Sequence, residues 1–277
     1  MVDVEGLLIG PDHPVRIMGV INLSPESFYK GAIAETVEEF QIQFNKAVSE
    51  GADIIDIGGA STAPTNIYGT SRVSIDEEIK RISAALQSLD ETKTPISIDT
   101  TSSKVAEVAL DLGAIMVNDV SGLQTDPRMA KLVAERQVAV ILMANCSPPC
   151  GSIQKSLDSL RTSLMIAKDS GIDSKKIILD PGIGFGKPPD VDFSILENLD
   201  RFVVLGHPLL VGVSRKAFIG HLLEQNDSED RLVGSIAATS IAVMNGADMI
   251  RTHDVKEARI AVQIGEAIRE KQDLSGS

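Results

Sequence analysis

A chain of 277 residues, 43% hydrophobic and 23% charged, has the composition of a folded globular protein and the length for one α/β barrel or two smaller domains. Its net charge of −13 excludes binding nucleic acid mainly through the phosphates, while leaving room for a local basic pocket that takes one small anion. The acidic start MVDVEGLLIG does not resemble a secretory signal and no apolar run reaches membrane-spanning length, so no membrane partner and a cytoplasmic location are expected.

In chain order, a short apolar run at 6–10 precedes PDHP and predicts a small hairpin over one end of the fold. The run 16–23 (RIMGVINL) is the first of eight short, Ile/Val-rich segments. A helix is predicted at 36–50, with Val37, Phe40, Phe44, Ala47 and Val48 on one face and Gly51 as its stop. The second run, 53–59 (DIIDIGG), leads to a helix at 74–89, where Ser74 three residues before Glu77 forms a capping-box pattern. Next come the run 96–100 (ISIDT) with a helix at 102–112, and the run 115–120 (IMVNDV) with a helix at 126–135. That helix opens on Asp126 followed by Pro127, a good cap before a good first helical residue. The run 138–144 (VAVILMA) precedes a helix at 156–170, and 177–180 (IILD) precedes one at 191–199. The run 209–214 (LLVGVS) is followed by a helix after Arg215 and another at 232–245, and 248–252 (DMIRT) by a helix at 256–271. Near-continuous apolar runs of this kind read as buried parallel strands. Eight strand–helix units without a break predict a (β/α)8 barrel: one domain over 1–277, with a hairpin at 1–15, the barrel at 16–270 and a tail.

The active site of such a barrel lies at the C-terminal ends of its strands. Those ends carry Asn22, Asp56, Asp99, Asn118 with Asp119, Asp180, Ser214 followed by Arg215 and Lys216, and Arg251 with His253. Each could merely start its loop or cap the next helix. A ring of them on one face is harder to explain that way, because burying a polar group without a partner costs roughly 1–3 kcal/mol. Asp99, Asn118 and Asp180 suit a heterocycle rich in N–H donors and ring acceptors. Lys216, Arg251 and His253 as a third cation suit a phosphate or diphosphate. Asn22 can add a neutral oxygen to a Mg²⁺ held mostly by water and phosphate.

Seven blocks in order then resemble the dihydropteroate synthase family of pterin-binding barrels: IMGVINLSPESF (17–28), GADIIDIGGAST (51–62), ISIDT (96–100), VNDVSG (117–122), ILDPGIGFGK (178–187), LLVGVSRKAFIG (209–220) and NGADMIRTHDV (245–255). The resemblance implies a transferase that condenses a 6-hydroxymethyl-dihydropterin diphosphate with p-aminobenzoate and releases pyrophosphate. It implies that Asp99, Asn118, Asp180 and Lys216 hold the pterin and that Arg251 covers its face. With His253 and Asn22, Arg251 would also hold the diphosphate, and Asn22 would touch Mg²⁺. Thr62 and Ser214 fall where the family binds diphosphate and arylamine, and Met143 and Phe185 at apolar walls. A homodimer is implied likewise.

The chain departs from the family pattern in three loops. After the second strand, Gly-Gly-Glu-Ser-Thr-Arg-Pro-Gly becomes a run in which Ala60 and Ala63 replace the Glu and the Arg. In the first loop, Asp-Ser-Phe-Ser-Asp-Gly becomes Glu26-Ser27-Phe28-Tyr29-Lys30-Gly31, and after the fifth strand Met-His becomes Met143-Ala144. These changes gather on the arylamine side. They suggest a modified acceptor, such as a ribosyl-phosphate arylamine of the methanopterin pathway, with Lys30 and Arg72 as added cations. A pterin-dependent methyltransferase to a corrinoid protein shares the barrel and the pterin carboxylates, but does not need Lys216, Arg251 and His253 together. A barrel that binds a pterin without catalysis is the third reading. The segment Gly182–Lys187 looks like a phosphate loop, but lacks Ser/Thr after Lys187 and runs into Pro188 and Pro189. Cys146 and Cys150 flank two prolines with no histidine nearby, a poor zinc site, and no disulfide framework is expected.

Overall fold

The computed structural model describes residues 1–24, 31, 33–61, 73–89 and 92–275, with side chains as far as residue 270. A two-stranded antiparallel hairpin, β1 (Val2–Val4) and β2 (Leu7–Ile9), precedes a ring of parallel strands. These are β3 (Arg16–Asn22), β4 (Ile54–Gly58), β5 (Ile96–Asp99), β6 (Met116–Asp119), β7 (Ala139–Met143), β8 (Ile177–Asp180), β9 (Leu210–Val211) and β10 (Met249–Thr252). They pair in the order β8-β7-β6-β5-β4-β3-β10-β9, and a parallel bridge from Leu179 to Leu209 joins the two ends. The structure is therefore an eight-stranded α/β barrel.

The helices are α1 (Val37–Ser49), α2 (Ile75–Gln87), α3 (Ser103–Asp111), α4 (Pro127–Arg136), α5 (Ile153–Asp169), α6 (Pro189–Glu197), α7 (Asp200–Val203), α8 (Ala217–Leu223), α9 (Leu232–Met244) and α10 (Val255–Ser275). Their starts follow local chemistry. Thr36, Ser74 and Ser152 each accept the backbone N–H three residues on, and Asp126 accepts that of Arg128 ahead of Pro127 at the first turn. Each such cap is worth about 1 kcal/mol.

The period of two along each strand explains how one barrel interior can be apolar below and polar above. Met18, Ile54, Met116, Ile141, Ile178, Leu210 and Met249 cluster with Val2, Val4 and Ile9 of the hairpin, which plugs the barrel floor. Two residues further along, the same inward face carries Asp56, Asn118, Met143, Asp180 and Arg251. The alternate residues, among them Ile55, Ile57, Val117, Val140, Leu142, Leu179 and Ile250, pack outward into the helix layer.

Several sequence expectations shift. The predicted strand at 209–214 shortens to Leu210–Val211, with Leu209 bridged to Leu179, because the backbone then turns away: the Arg215 N–H goes to Ser235 Oγ at 2.7 Å and Arg215 has φ 54°. Val48, placed on the apolar face of α1, is 37% exposed, while Phe40 and Phe44 carry the burial. The helix expected at 156–170 begins three residues earlier, at Ile153, because Ser152 caps it. The short helix α7 was not foreseen. Cys146 and Cys150 are joined in a disulfide, against expectation: the intervening prolines fold the loop back until the Cα atoms lie 5.1 Å apart, inside the bridging range of roughly 4.4–6.8 Å. Among the described residues no helix is long and apolar enough to cross a membrane.

Candidate active site

The strand ends separate into three groups. The first is a buried network across β4, β5, β6 and β10. Arg251 Nε donates to Asp56 Oδ2 and Arg251 Nη2 to Asp99 Oδ2, both at 2.7 Å, and Asn118 Nδ2 donates to the same Asp56 Oδ2 at 2.9 Å. Asp56 has no exposed surface, and among the described residues its Oδ1 has no hydrogen-bond partner. A carboxylate so placed costs several kcal/mol unless a cation answers it, and Arg251 does. Asn22, ending β3, lies alongside: its Oδ1 faces Gly58, next to Asp99.

The second group surrounds the loop between β8 and α6. Asp180 Oδ1 accepts the Gly182 N–H at 2.7 Å, and burial raises its pKa against the opposing pull of Lys216. The Lys216 ammonium donates to the Ile183 carbonyl and sits 4.8 Å from the centre of the Phe185 ring. Burial pulls the Lys216 pKa down to about 8, opposed by Asp180 and Asp192. Gly182 and Gly184 have φ of 73° and 78°, and a Cβ on Gly184 would meet Lys216 Cδ at 2.5 Å, so the loop must be glycine where the lysine lies over it. Met143, buried at the end of β7 and in register with Asp180, lies against Gly182.

The third group is Ser214 with His253. Ser214 Oγ accepts the His253 backbone N–H at 3.3 Å and lies 2.9 Å from His253 Nδ1, a hydrogen bond whose direction follows the ring tautomer. Burial, with Arg251, Arg215 and Lys216 around it, pushes the His253 pKa down to about 3. This corrects the expected third cation: His253 is neutral at neutral pH and can serve only as a neutral hydrogen-bonding group.

Other strand-end residues do structural work. Asp119 accepts the Ser121 and Leu123 N–H groups at 2.8 and 2.9 Å and holds its own loop. Arg215 forms a bidentate pair with Asp254, at 2.9 and 2.8 Å, and donates to the Ser228 and Glu229 carbonyls. Two residues that sequence reasoning missed stand at the second group. Lys187, dismissed with the phosphate-loop pattern, is 6% exposed and donates to the Gly182 carbonyl. Asp192 on α6 is 1% exposed and accepts the Gly184 N–H at 2.9 Å. The motif around Lys187 was a signal for the first; nothing local marked Asp192. Thr62, Ala63, Arg72, Glu26 and Lys30 lie outside the described residues. At the root of the second loop, Arg81 of α2 donates to the Gly59 carbonyl at 3.3 Å, and buried Glu78 accepts the Thr100 hydroxyl at 2.7 Å.

A barrel whose mouth gathers acids, an amide and two cations over an apolar floor defines a small-molecule enzyme site. The family described as pterin binding enzyme matches residues 18–253. A Clostridium beijerinckii dihydropteroate synthase is 39% identical over 256 residues, which cover 91% of this chain and 93% of that one. A probable bifunctional folylpolyglutamate synthase/dihydropteroate synthase of Haloferax volcanii is 36% identical over 272 residues, and there the match spans 94% of this chain but only 32% of the longer protein. The crystal structure of a Clostridium difficile dihydropteroate synthase in the presence of pteroic acid superposes with a TM-score of 0.82 at 38% identity, covering 92% of this chain and 97% of that one. The chain belongs to the pterin-binding enzyme family, among the dihydropteroate synthases, and is a transferase.

Proposed function

We propose that this protein joins 6-hydroxymethyl-7,8-dihydropterin diphosphate to an arylamine, p-aminobenzoate or a p-aminobenzoate-like acceptor, and releases pyrophosphate. The observation that carries this reading is the Asp56–Asp99–Asn118–Arg251 network, with Asp180 and Lys216 near enough for Arg251 to act on both. Asp99, Asn118 and Asp180 supply acceptors and an amide for the edge of a pterin, Lys216 adds a donor, and Met143 and Phe185 supply apolar walls. Arg251, held at the mouth by Asp56 and Asp99, covers the ring and meets the diphosphate together with the His253 ring. Thr62 and Ser214 complete the diphosphate and arylamine sides.

The chemistry needs no protein nucleophile. The bond from methylene to diphosphate oxygen breaks, and its electron pair leaves with the pyrophosphate. The resulting positive charge spreads into the pterin ring, where Asp99 and Asp180 stabilise it. The amine lone pair forms the new C–N bond, and the proton it sheds goes to the released pyrophosphate. Among the described residues no three His, Cys, Asp or Glu side chains converge as a metal cage. The single neutral oxygen of Asn22 fits a Mg²⁺ that rests mainly on phosphate oxygens and water, where it would neutralise the leaving group.

The finer reading concerns the acceptor. Ala60 and Ala63 remove two charges that the family pattern has on the arylamine side, which favours an acceptor bringing its own phosphate, met by Lys30 and Arg72. Pyrophosphate release across a panel of arylamines is the test. Release with some arylamine is expected. No release with any of them, or methyl transfer instead, overturns the condensation, and preference for plain p-aminobenzoate overturns only the finer reading. Exposed apolar side chains on α8, α9 and α10 (Leu222, Val233, Ile241, Ile260 and Ile264) support a homodimer through these helices. A monomer mass by light scattering at micromolar concentration would refute it.

A further inference from the structure

The loop that carries Phe185 is held by an uncommon device. Three consecutive residues each give one backbone group to an ionisable side chain: the Gly182 carbonyl to Lys187, the Ile183 carbonyl to Lys216, and the Gly184 N–H to Asp192. Two of these side chains come from outside the loop, Lys216 from the segment after β9 and Asp192 from the first turn of α6. Asp192 is the anion of the set. It is 1% exposed, it accepts the Gly184 N–H, and the charges of Lys187 and Lys216 act on it. A solvent-reaching cavity of about 370 Å³, lined by Asp192, Lys187, His221 and Arg231 among others, runs behind the loop. A proton therefore has a path to the buried carboxylate.

We propose that Asp192 is a positioning residue for the pterin site: its carboxylate fixes the Gly182–Gly186 loop and draws Lys216 into place, so that protonating it loosens the site without touching the bond-making atoms. The inference rests on the pterin-binding reading above. The groups facing Asp192 are Lys187 on the loop, Lys216 and His221 on and before α8, Arg231 beyond it, and Asp190 on its own helix. The two lysines favour the anion. Burial, with a smaller push from Asp190, opposes it and carries the Asp192 pKa up to about 6. The switch thus falls inside the working range of an enzyme. Above pH 6 the charge-assisted bond to Gly184 is made; below it a neutral acid accepts the same N–H more weakly and no longer attracts Lys216.

The test uses the full chain and two ligands. Titrating wild type with 6-hydroxymethylpterin, which has no phosphate to ionise, should show affinity weakening about fivefold to tenfold as pH falls from 7.5 to 5. Asp192→Asn keeps an acceptor oxygen for Gly184 but no charge. It should raise KM for the pterin diphosphate by a similar factor, hold kcat within about twofold, and remove the limb near pH 6 from kcat/KM. Wild-type affinity that is flat across this pH range overturns the proposal, whether or not the variant folds. So does an Asp192→Asn enzyme with unchanged KM, or one whose loss lies in kcat alone. Failure of the pterin to bind at any pH would instead overturn the pterin-binding reading, so the two failures are distinguishable.

Discussion

The two sides of the barrel mouth solve the same problem by different means. On the β4–β5–β6–β10 side, polar side chains borne on the barrel strands bond one another: Asp56, Asp99, Asn118 and Arg251 form a network across the mouth, placed by strands whose register fixes where each side chain emerges. On the β8–β9 side the partners are mainly backbone. Asp180, Lys187, Lys216 and Asp192 hold N–H and C=O groups of a glycine-rich loop. The first arrangement is rigid because strands are rigid. The second is only as rigid as the charges that pin it, so it should respond to pH and to small changes in volume where the first should not.

The largest effect should come from breaking the strand-borne side. Arg251→Met leaves Asp56 as a buried carboxylate without its cation and should cost roughly 3–5 kcal/mol of stability, read by chemical denaturation. It should also lower kcat/KM by roughly 10²–10³-fold. Adding Asp56→Asn should return much of the stability, since the two residues are in contact and their effects cannot be additive. Additive losses would mean that the pair is not the unit described.

The pinned loop predicts the opposite sign. The Asp192 pKa is raised from its ordinary 3.8 to about 6, so the folded state binds this proton more tightly than the unfolded chain. Its contribution to stability is full below about pH 4 and is lost as pH rises through 6. Asp192→Asn removes that penalty. At pH 8 it should be more stable than wild type by roughly 2–3 kcal/mol, with the gap closing toward pH 4. A variant that gains stability while losing pterin affinity separates a positioning charge from a merely structural one.

The smallest expected effect is Gly184→Ala, at roughly 1–2 kcal/mol for the left-handed backbone. Its methyl group must also displace the Lys216 stem. KM for the pterin diphosphate should rise with little change in kcat. The same substitution at Gly113, which has positive φ but nothing within 4 Å, should cost only the backbone part and leave KM alone.

Much of the first side was legible in the chain itself. Short Ile/Val runs with helices between them specify a parallel barrel, and a period of two places Asp56, Asn118 and Arg251 above an apolar floor whatever the details of packing. Family blocks then attached a chemistry to those positions. The second side was less legible. Asp192 reads as one more acid in a helix, and Lys187 as the end of a failed phosphate loop, until tertiary packing buries both against the same glycine-rich loop. Arg215 and Asp119 went the other way, from candidate site residues to loop clamps, because hydrogen-bond partners from distant segments claimed them. His253 lost its expected charge for a related reason: burial beside Arg251, Arg215 and Lys216 disfavours a fourth cation. The disulfide between Cys146 and Cys150 likewise depended on how two prolines turn a loop. The sequence by itself determined the barrel, its polar rim and its family, because these follow from periodicity and local order. Only the tertiary structure decided which charges the rim keeps and which loop they hold, because charge state and loop anchoring depend on burial and on partners remote in the chain.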